Sequence, residues 1–285
     1  VSAARTGSLI LVATPIGNLG DLSPRARDAL ASADVVCCED TRRTRALLGA
    51  TGLPTNPRRL VSLHGHNEAA RIPEVLGWLE EGRTVALVSD AGTPAVSDPG
   101  RRLVAAAASA GHVVTEVPGP SSVLMALTVS GLATDRFCVE GFLPRKGPER
   151  RRRLRELAGE ERTAVVLEAP GRLSSLLADL AESCGDRAVT VCRELTKLHE
   201  EVWRGSLPAA VAEFAEREVR GEVVVVLAGS ERPSGPDDAA IDAAVRDRLG
   251  RGDSPRGAAE AVAAALGVPH RRAYEAAIAA RDAGG

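Results

Sequence analysis

Aromatic side chains are nearly absent from this chain: three phenylalanines, two tryptophans and one tyrosine in 285 residues. That scarcity leaves few platforms on which the unstacked bases of a single-stranded RNA could lie. Lysine is rarer still, since only Lys146 and Lys197 among 36 basic residues are lysine. The five cysteines (Cys37, Cys38, Cys138, Cys184, Cys192) form no C-x-x-C pair. They read as buried free thiols in a reducing compartment. No apolar run approaches the roughly 20 residues of a membrane helix. Val1 to Arg5 do not lead into a signal-peptide core, because the apolar run that follows is short and strand-like. A cytoplasmic protein without membrane contact is expected. The net charge of −2 gives the whole molecule no general attraction for nucleic acid, so any such binding needs a local basic patch. The spacings G-x-G-x-x-G and G-x-x-x-x-G-K-[ST] are also missing, which sets aside the common dinucleotide and P-loop fingerprints.

What is present is an alternation of strand and helix. Ser8 to Val12 is apolar and β-branched, stops at Thr14-Pro15, and is followed by Gly17 and Gly20 and a helix opening at Ser23-Pro24. Further strands are predicted at Asp34–Cys38, Leu60–Leu63, Thr84–Val88 and His112–Val117. Helix-length segments between them imply a parallel sheet. The polar and glycine-bearing stretches fall where these strands end: Thr14-Pro15-Ile16-Gly17, Glu39-Asp40-Thr41-Arg42, Ser89 to Pro94, and Pro118 to Ser122. In an open parallel sheet such ends share one edge, where ligands bind. Polar loops without a ligand would show the same composition.

After Ser122 the pattern changes. Strands are predicted at Thr163–Glu168, Ala188–Cys192, Glu201–Arg204 and Glu222–Leu227, the last two as an antiparallel pair. The fold class expected is α/β: a parallel-sheet domain at 1–117, a mixed-sheet domain at 118–232, and a small helical extension at 233–285. Ser230 to Asp238 reads as a linker. The helices after it, Ala239–Leu249, Pro255–Leu266 and Pro269–Ala280, suit either a helix-turn-helix module or a small bundle.

Several long segments occur in order: VATPIGNLGDLS, CEDTRRTR, HGHNEAAR, VALVSDAGTPAVSDPG, PGPSS, GLATDRF, EGFLPRKG and RELTKLHEEVWRG. Together they resemble the ribosomal RNA small-subunit methyltransferase I family, in the tetrapyrrole methylase-like superfamily of class III methyltransferases. The resemblance runs from Ser8 to Gly229. It implies an S-adenosylmethionine-dependent enzyme, with the cofactor between a parallel and a mixed domain. It further implies 2′-O-methylation of a cytidine in the decoding region of 16S rRNA by a homodimer; the scarcity of aromatics suits shape and phosphate recognition of that RNA within an assembled 30S subunit better than of a free oligonucleotide. The matching motifs place cofactor contacts at Pro15, Ile16, Gly17, Asn18 and Leu19, at Gly92, Thr93, Val96 and Ser97, at Ser121 and Ser122, and at Leu167, Glu168 and Leu227. Thr93 stands where the tetrapyrrole enzymes carry aspartate. The superfamily also contains tetrapyrrole methylases acting on cobalamin precursors, and an RNA-binding assembly factor without catalysis is a third reading.

A ribose hydroxyl needs a proton acceptor within hydrogen-bond reach. Glu39, Asp40, His64, His66, Glu68, Lys146, Lys197 and Glu200 are candidates, with Asp40, Lys146 and Lys197 foremost. Glu39 and Asp40 could equally pair with Arg42, Arg43 and Arg45. No metal is expected, since methyl transfer does not need one and the His64, His66, Glu68 spacing is a poor ligand set. Arg145, Lys146, Arg150, Arg151, Arg152 and Arg153, with Arg155, make the densest basic cluster, either an RNA-binding patch or a solvated helix face. Arg42, Arg43, Arg45, Arg58 and Arg59 could extend it.

Overall fold

The computed structural model describes residues 7–53, 59–230 and 238–283. Val1 to Arg5, Arg58 and most of the Ser230–Asp238 linker lie outside the described residues. Two compact units divide the chain, one up to Gly229 and one from Ser230 onward.

The first unit holds two five-stranded sheets. In the first sheet β1 (Ser8–Val12), β2 (Val35–Cys38), β3 (Arg59–Ser62), β4 (Thr84–Val88) and β5 (Val113–Val117) are all parallel, in the order β3-β2-β4-β1-β5. Every residue of β2 and four of the five in β4 are buried. That is the burial expected where helices cover both faces. These helices are α1 (Pro24–Ser32), α2 (Thr41–Ala50), α3 (Glu68–Glu80) and α4 (Arg101–Ser109). Ser23 caps α1, its hydroxyl accepting the Ala26 amide at 3.1 Å ahead of Pro24. That is the hydroxyl-then-proline start expected from sequence.

α5 (Ser122–Ser130) leads to the second sheet: β6 (Phe137–Phe142), β7 (Thr163–Glu168), β8 (Ala188–Arg193), β9 (Glu201–Ser206) and β10 (Val223–Leu227), in the order β6-β7-β10-β8-β9. α6 (Gly147–Gly159), α7 (Leu173–Cys184) and α8 (Leu207–Phe214) connect them. β6 and β7 are parallel, and the other neighbours are antiparallel. Two sequence expectations need correction here. The predicted pair at Glu201 and Glu222 is not a pair: β9 joins β8, and β10 lies between β7 and β8. All five residues of β10 are apolar and buried, so the strand takes a central position, and α8 spans the gap between β9 and β10. The stretch from Phe137 was not predicted as a strand. It is an edge strand interrupted by a bulge between Val139 and Gly141, which breaks the alternation that marks a strand in sequence.

The second unit comprises α9 (Asp238–Gly250), α10 (Pro255–Leu266) and α11 (His270–Ala283). They close around a core of their own, with Ile241, Val245, Val262 and Val268 at its centre. Among the described residues no helix is long and apolar enough to cross a membrane. Burial pushes all five cysteine thiols upward, Cys37 to about 12 and Cys138 and Cys192 to about 11. They are free thiols, and three are fully buried.

Candidate functional site

The strand ends do converge. The loops after β1 and β4 are stitched by Thr14 and Gly92, whose amides and carbonyls exchange hydrogen bonds of 2.9 and 3.0 Å. Thr93 adds a hydroxyl bond to the Pro120 carbonyl at 3.2 Å, tying in the loop after β5. A cavity of about 340 Å³ opens beside this seam, within the size range of small-molecule sites. Ile16, Gly92, Thr93, Val96, Ser97, Ser121 and Ser122 form its wall on the side of the first sheet. Phe142, Leu167 and Glu168, at the ends of β6 and β7, and Val223 and Val224, at the start of β10, form the other.

Not every expected contact lines that cavity. Pro15, Gly17, Asn18 and Leu19 flank Ile16 without forming its wall. Asn18 instead accepts the Gly20 amide at 2.9 Å and caps a short turn. Leu227 lies at the far end of β10, opposite Ala164, buried in the core beneath the sheet. The reason is strand direction. β10 runs against β7, so its first residues meet the cleft where the last residues of β7 do.

Of the three residues foremost as proton acceptors, none lines the cavity. Asp40 is the N-cap of α2 and accepts the Arg42 amide at 2.8 Å, and its carboxylate also takes the Arg42 guanidinium at 2.6 Å. Those bonds hold its carboxyl well below the usual carboxylate range, which makes it a poor proton acceptor. Lys146 is exposed at the start of α6. Lys197 bonds Glu194 at 2.8 Å and faces Glu222 at 3.3 Å. Burial works against its charge, but these two carboxylates outweigh it and raise its pKa. Lys197 therefore stays protonated, next to a carboxylate that lines the cavity. Glu68 is committed elsewhere: buried, its Oε1 accepts the amides of Gly100, Arg102 and Leu103 at 2.8–3.1 Å and caps α4.

Among the described residues four carboxylates line the cavity, Asp90, Asp98, Glu168 and Glu222, against a single cation, Arg43. Arg43 lies 3.5 Å from Asp90. Burial, then the nearby Glu39 and Asp90, push the Asp98 carboxyl from 3.8 up to about 6, although a Ser89 hydrogen bond opposes this. Glu168 is fully buried on its side chain. Its Oε1 accepts the Ala169 amide at 2.8 Å and pairs with Arg172, while Oε2 has no partner among the described residues. A buried carboxylate oxygen without a donor is costly, and here it belongs to a cavity wall. Sequence reasoning missed Asp98, Phe142 and the Gly221–Val224 stretch. Asp98 stood inside the quoted SDAGTPAVSDPG segment, but only the fold turns it toward the cavity.

The basic cluster divides in three. Arg150 is buried, bonded to Asp179 at 2.6 Å and to the Pro144 carbonyl at 2.9 Å, so it braces α6 against α7. Arg152 lies near Glu149 and Glu156, and Arg153 near Glu140 and Glu156. Arg145, Lys146, Arg151 and Arg155 are exposed and form no ion pair among the described residues.

Residues 8–211 match the model of the Tetrapyrrole (Corrin/Porphyrin) Methylases. The chain is 48% identical over 278 residues to a Mycobacterium tuberculosis protein named Ribosomal RNA small subunit methyltransferase I, covering 97% of this chain and 96% of that one. A Synechocystis protein of the same name is 45% identical over 273 residues, covering 94% and 96%. Among solved structures, a uroporphyrin-III C-methyl transferase from Thermus thermophilus, complexed with S-adenyl homocysteine, superposes with a TM-score of 0.55 at 24% identity, covering 78% of this chain and 97% of that chain. At that identity the likeness concerns the fold alone.

Proposed function

The chain belongs to the ribosomal RNA small subunit methyltransferase I family, within the tetrapyrrole methylases, and from that membership and the cleft we propose that it methylates the 2′-hydroxyl of a cytidine in the decoding region of 16S rRNA. The observation that carries the reading is a carboxylate-lined cavity, Asp90, Asp98, Glu168 and Glu222 against Arg43, in a chain alike over nearly its whole length to enzymes named for ribosomal RNA.

The residues present fit S-adenosylmethionine. Its sulfonium is a cation, and the wall is net acidic; Glu168 Oε2 is a buried acceptor lacking a donor. Ile16, Gly92, Thr93, Ser121, Leu167 and Glu168 would hold it. When bound, it supplies an electrophilic methyl group for in-line displacement. The chain contributes alignment, through loops fastened by the Thr14–Gly92 and Thr93–Pro120 bonds, and alignment is a large share of such catalysis. It also contributes a proton acceptor. Asp98 fills this role in place of Asp40, Lys146 and Lys197, because it is a residue of the cavity lining and its carboxyl is pushed up to about 6. A base with a pKa near the working pH is the effective one.

Arg145, Lys146, Arg151 and Arg155 supply phosphate contacts. With one aromatic among the described residues on the cavity wall, recognition of the RNA beyond the target nucleotide rests on shape and phosphates, which suits an assembled 30S subunit in the cytoplasm. A homodimer and domains at 1–117, 118–232 and 233–285 belong to the same reading. Exposed Val113, Leu124 and Val139 are apolar surface for a second copy to cover.

Purified protein given 30S subunits from a strain lacking the activity, with labelled S-adenosylmethionine, should yield labelled 2′-O-methylcytidine in 16S rRNA by nucleoside mass spectrometry. Label in a tetrapyrrole, or cofactor binding without any RNA product, would refute the assignment.

A further inference from the structure

We infer that Phe142 is the platform on which the target base lies, so that the outer part of the cavity is the subsite for the acceptor nucleotide. The inference rests on the rRNA-methylating reading of the cavity and goes beyond it by naming the group that recognises the base.

Phe142 is 57% exposed and is the one aromatic among the residues lining the cavity. An apolar ring left this open at a cavity mouth is unused surface unless something covers it. Its direction is set by a specific device. Val139 stands opposite Val165, but Gly141 stands opposite Val166, so Glu140 is an extra residue in β6. Side chains in a strand alternate between faces, so one inserted residue reverses the face of all that follow. Phe142 consequently falls opposite Leu167, which lines the cavity. In a regular strand it would share the face of Cys138, which packs into the core under α6 and α7.

The bulge is held on both sides. Glu140, the extra residue, pairs with Arg153 of α6. Gly141 has φ +64°, and a Cβ there would stand 3.0 Å from Ser97 Oγ. Ser97 itself has φ +60° and Ala95 φ +67°, a backbone that L side chains adopt at a cost. Between them Val96 is 46% exposed on the cavity wall. The loop after β4 thus closes on the bulge, with an apolar side chain lining the same cavity as the ring.

The surroundings select a nucleotide. Leu143 and Pro144 lead directly from Phe142 to the unpaired Arg145 and Lys146, and Arg150 fastens the Pro144 carbonyl at 2.9 Å. An aromatic face followed at once by two cations on a braced turn is the pairing that base and phosphate require. Asp98 lines the same cavity.

The test uses Phe142→Ala, Phe142→Leu and Phe142→Tyr in the full chain, assayed on 30S subunits. The alanine variant should lower kcat/KM for the subunit on the order of 10- to 100-fold, the range for losing one base–aromatic stack. Its S-adenosylmethionine affinity by calorimetry and its sedimentation mass should stay at wild-type values. Leucine should restore little and tyrosine most of the loss. Wild-type efficiency in the alanine or leucine variant would overturn the inference. So would a loss of cofactor affinity matching the loss in kcat/KM, or a change in mass showing that a second copy covers the ring. Wild-type protein that binds the cofactor but leaves 30S subunits unmethylated would remove the underlying reading as well.

Discussion

The stem of Lys197 lies directly on Gly17: a Cβ built at Gly17 would stand 2.3 Å from Lys197 Cγ and 2.7 Å from Thr196 Oγ1. The loop after β1 and the loop between β8 and β9 touch through this missing side chain. Gly17→Ala should force the second loop outward and move Lys197 away from Glu222. The expected outcome is a melting temperature lower by several degrees, consistent with about 1–3 kcal/mol for overpacking, and weaker binding of S-adenosylmethionine by calorimetry.

Asp98 sets a pH limb. Its carboxyl holds a proton up to about pH 6 in the folded protein, so the turnover rate should rise with pH through that value and level off above it. Asp98→Asn should remove the limb along with most of the rate, a factor of roughly 10²–10⁴. Stability should move the other way. A raised carboxyl means the folded state binds more protons between its ordinary value and about 6, so this stabilising contribution is complete below that window and lost as pH rises through it. Asp98→Asn should therefore melt higher than wild type at pH 7–8. An inactive variant with an unchanged melting temperature at pH 7–8 would contradict the buried-carboxyl account.

Glu168 lines the cavity, and its buried Oε2 has no partner among the described residues. Glu168→Gln removes the charge but keeps the shape, and should weaken cofactor binding on the order of 10-fold, as expected for a hydrogen bond to a charged group. Equal affinity by calorimetry would mean that the oxygen faces no donor on the ligand.

The basic residues in and just before α6 should separate by role. Arg145→Glu with Lys146→Glu should weaken binding to 30S subunits and flatten its salt dependence by roughly 0.7–0.9 log units per lost contact, with the melting temperature unchanged. Arg150→Ala should instead cost stability, about 2–3 kcal/mol, below the range for a fully buried pair because Asp179 is one-third exposed.

Gly141 has a conformation and surroundings that disfavour a side chain. Gly141→Ala meets both a positive φ and Ser97, and should destabilise by about 1 kcal/mol or more. It should also lower the rate on 30S subunits more than it weakens cofactor binding, because the bulge aims Phe142.

Much of this protein is legible in its sequence. β1, β2 and β4 are short, apolar and spaced by amphipathic segments, and burial on both faces leaves a parallel sheet as their arrangement. The motif order identified the family, and the glycine- and proline-bearing strand ends located the rim. These are local signals, carried by neighbouring residues. The direction of β10, the bulge at Glu140, the burial of Arg150 and the environment of Asp98 depend on partners far away in the chain. Leu227 and Val223 look alike in sequence, and only the antiparallel pairing of β10 with β7 decides which one reaches the cleft. A carboxylate's proton affinity depends on charges and solvent around it in space, so Arg42 holds Asp40 low while burial raises Asp98.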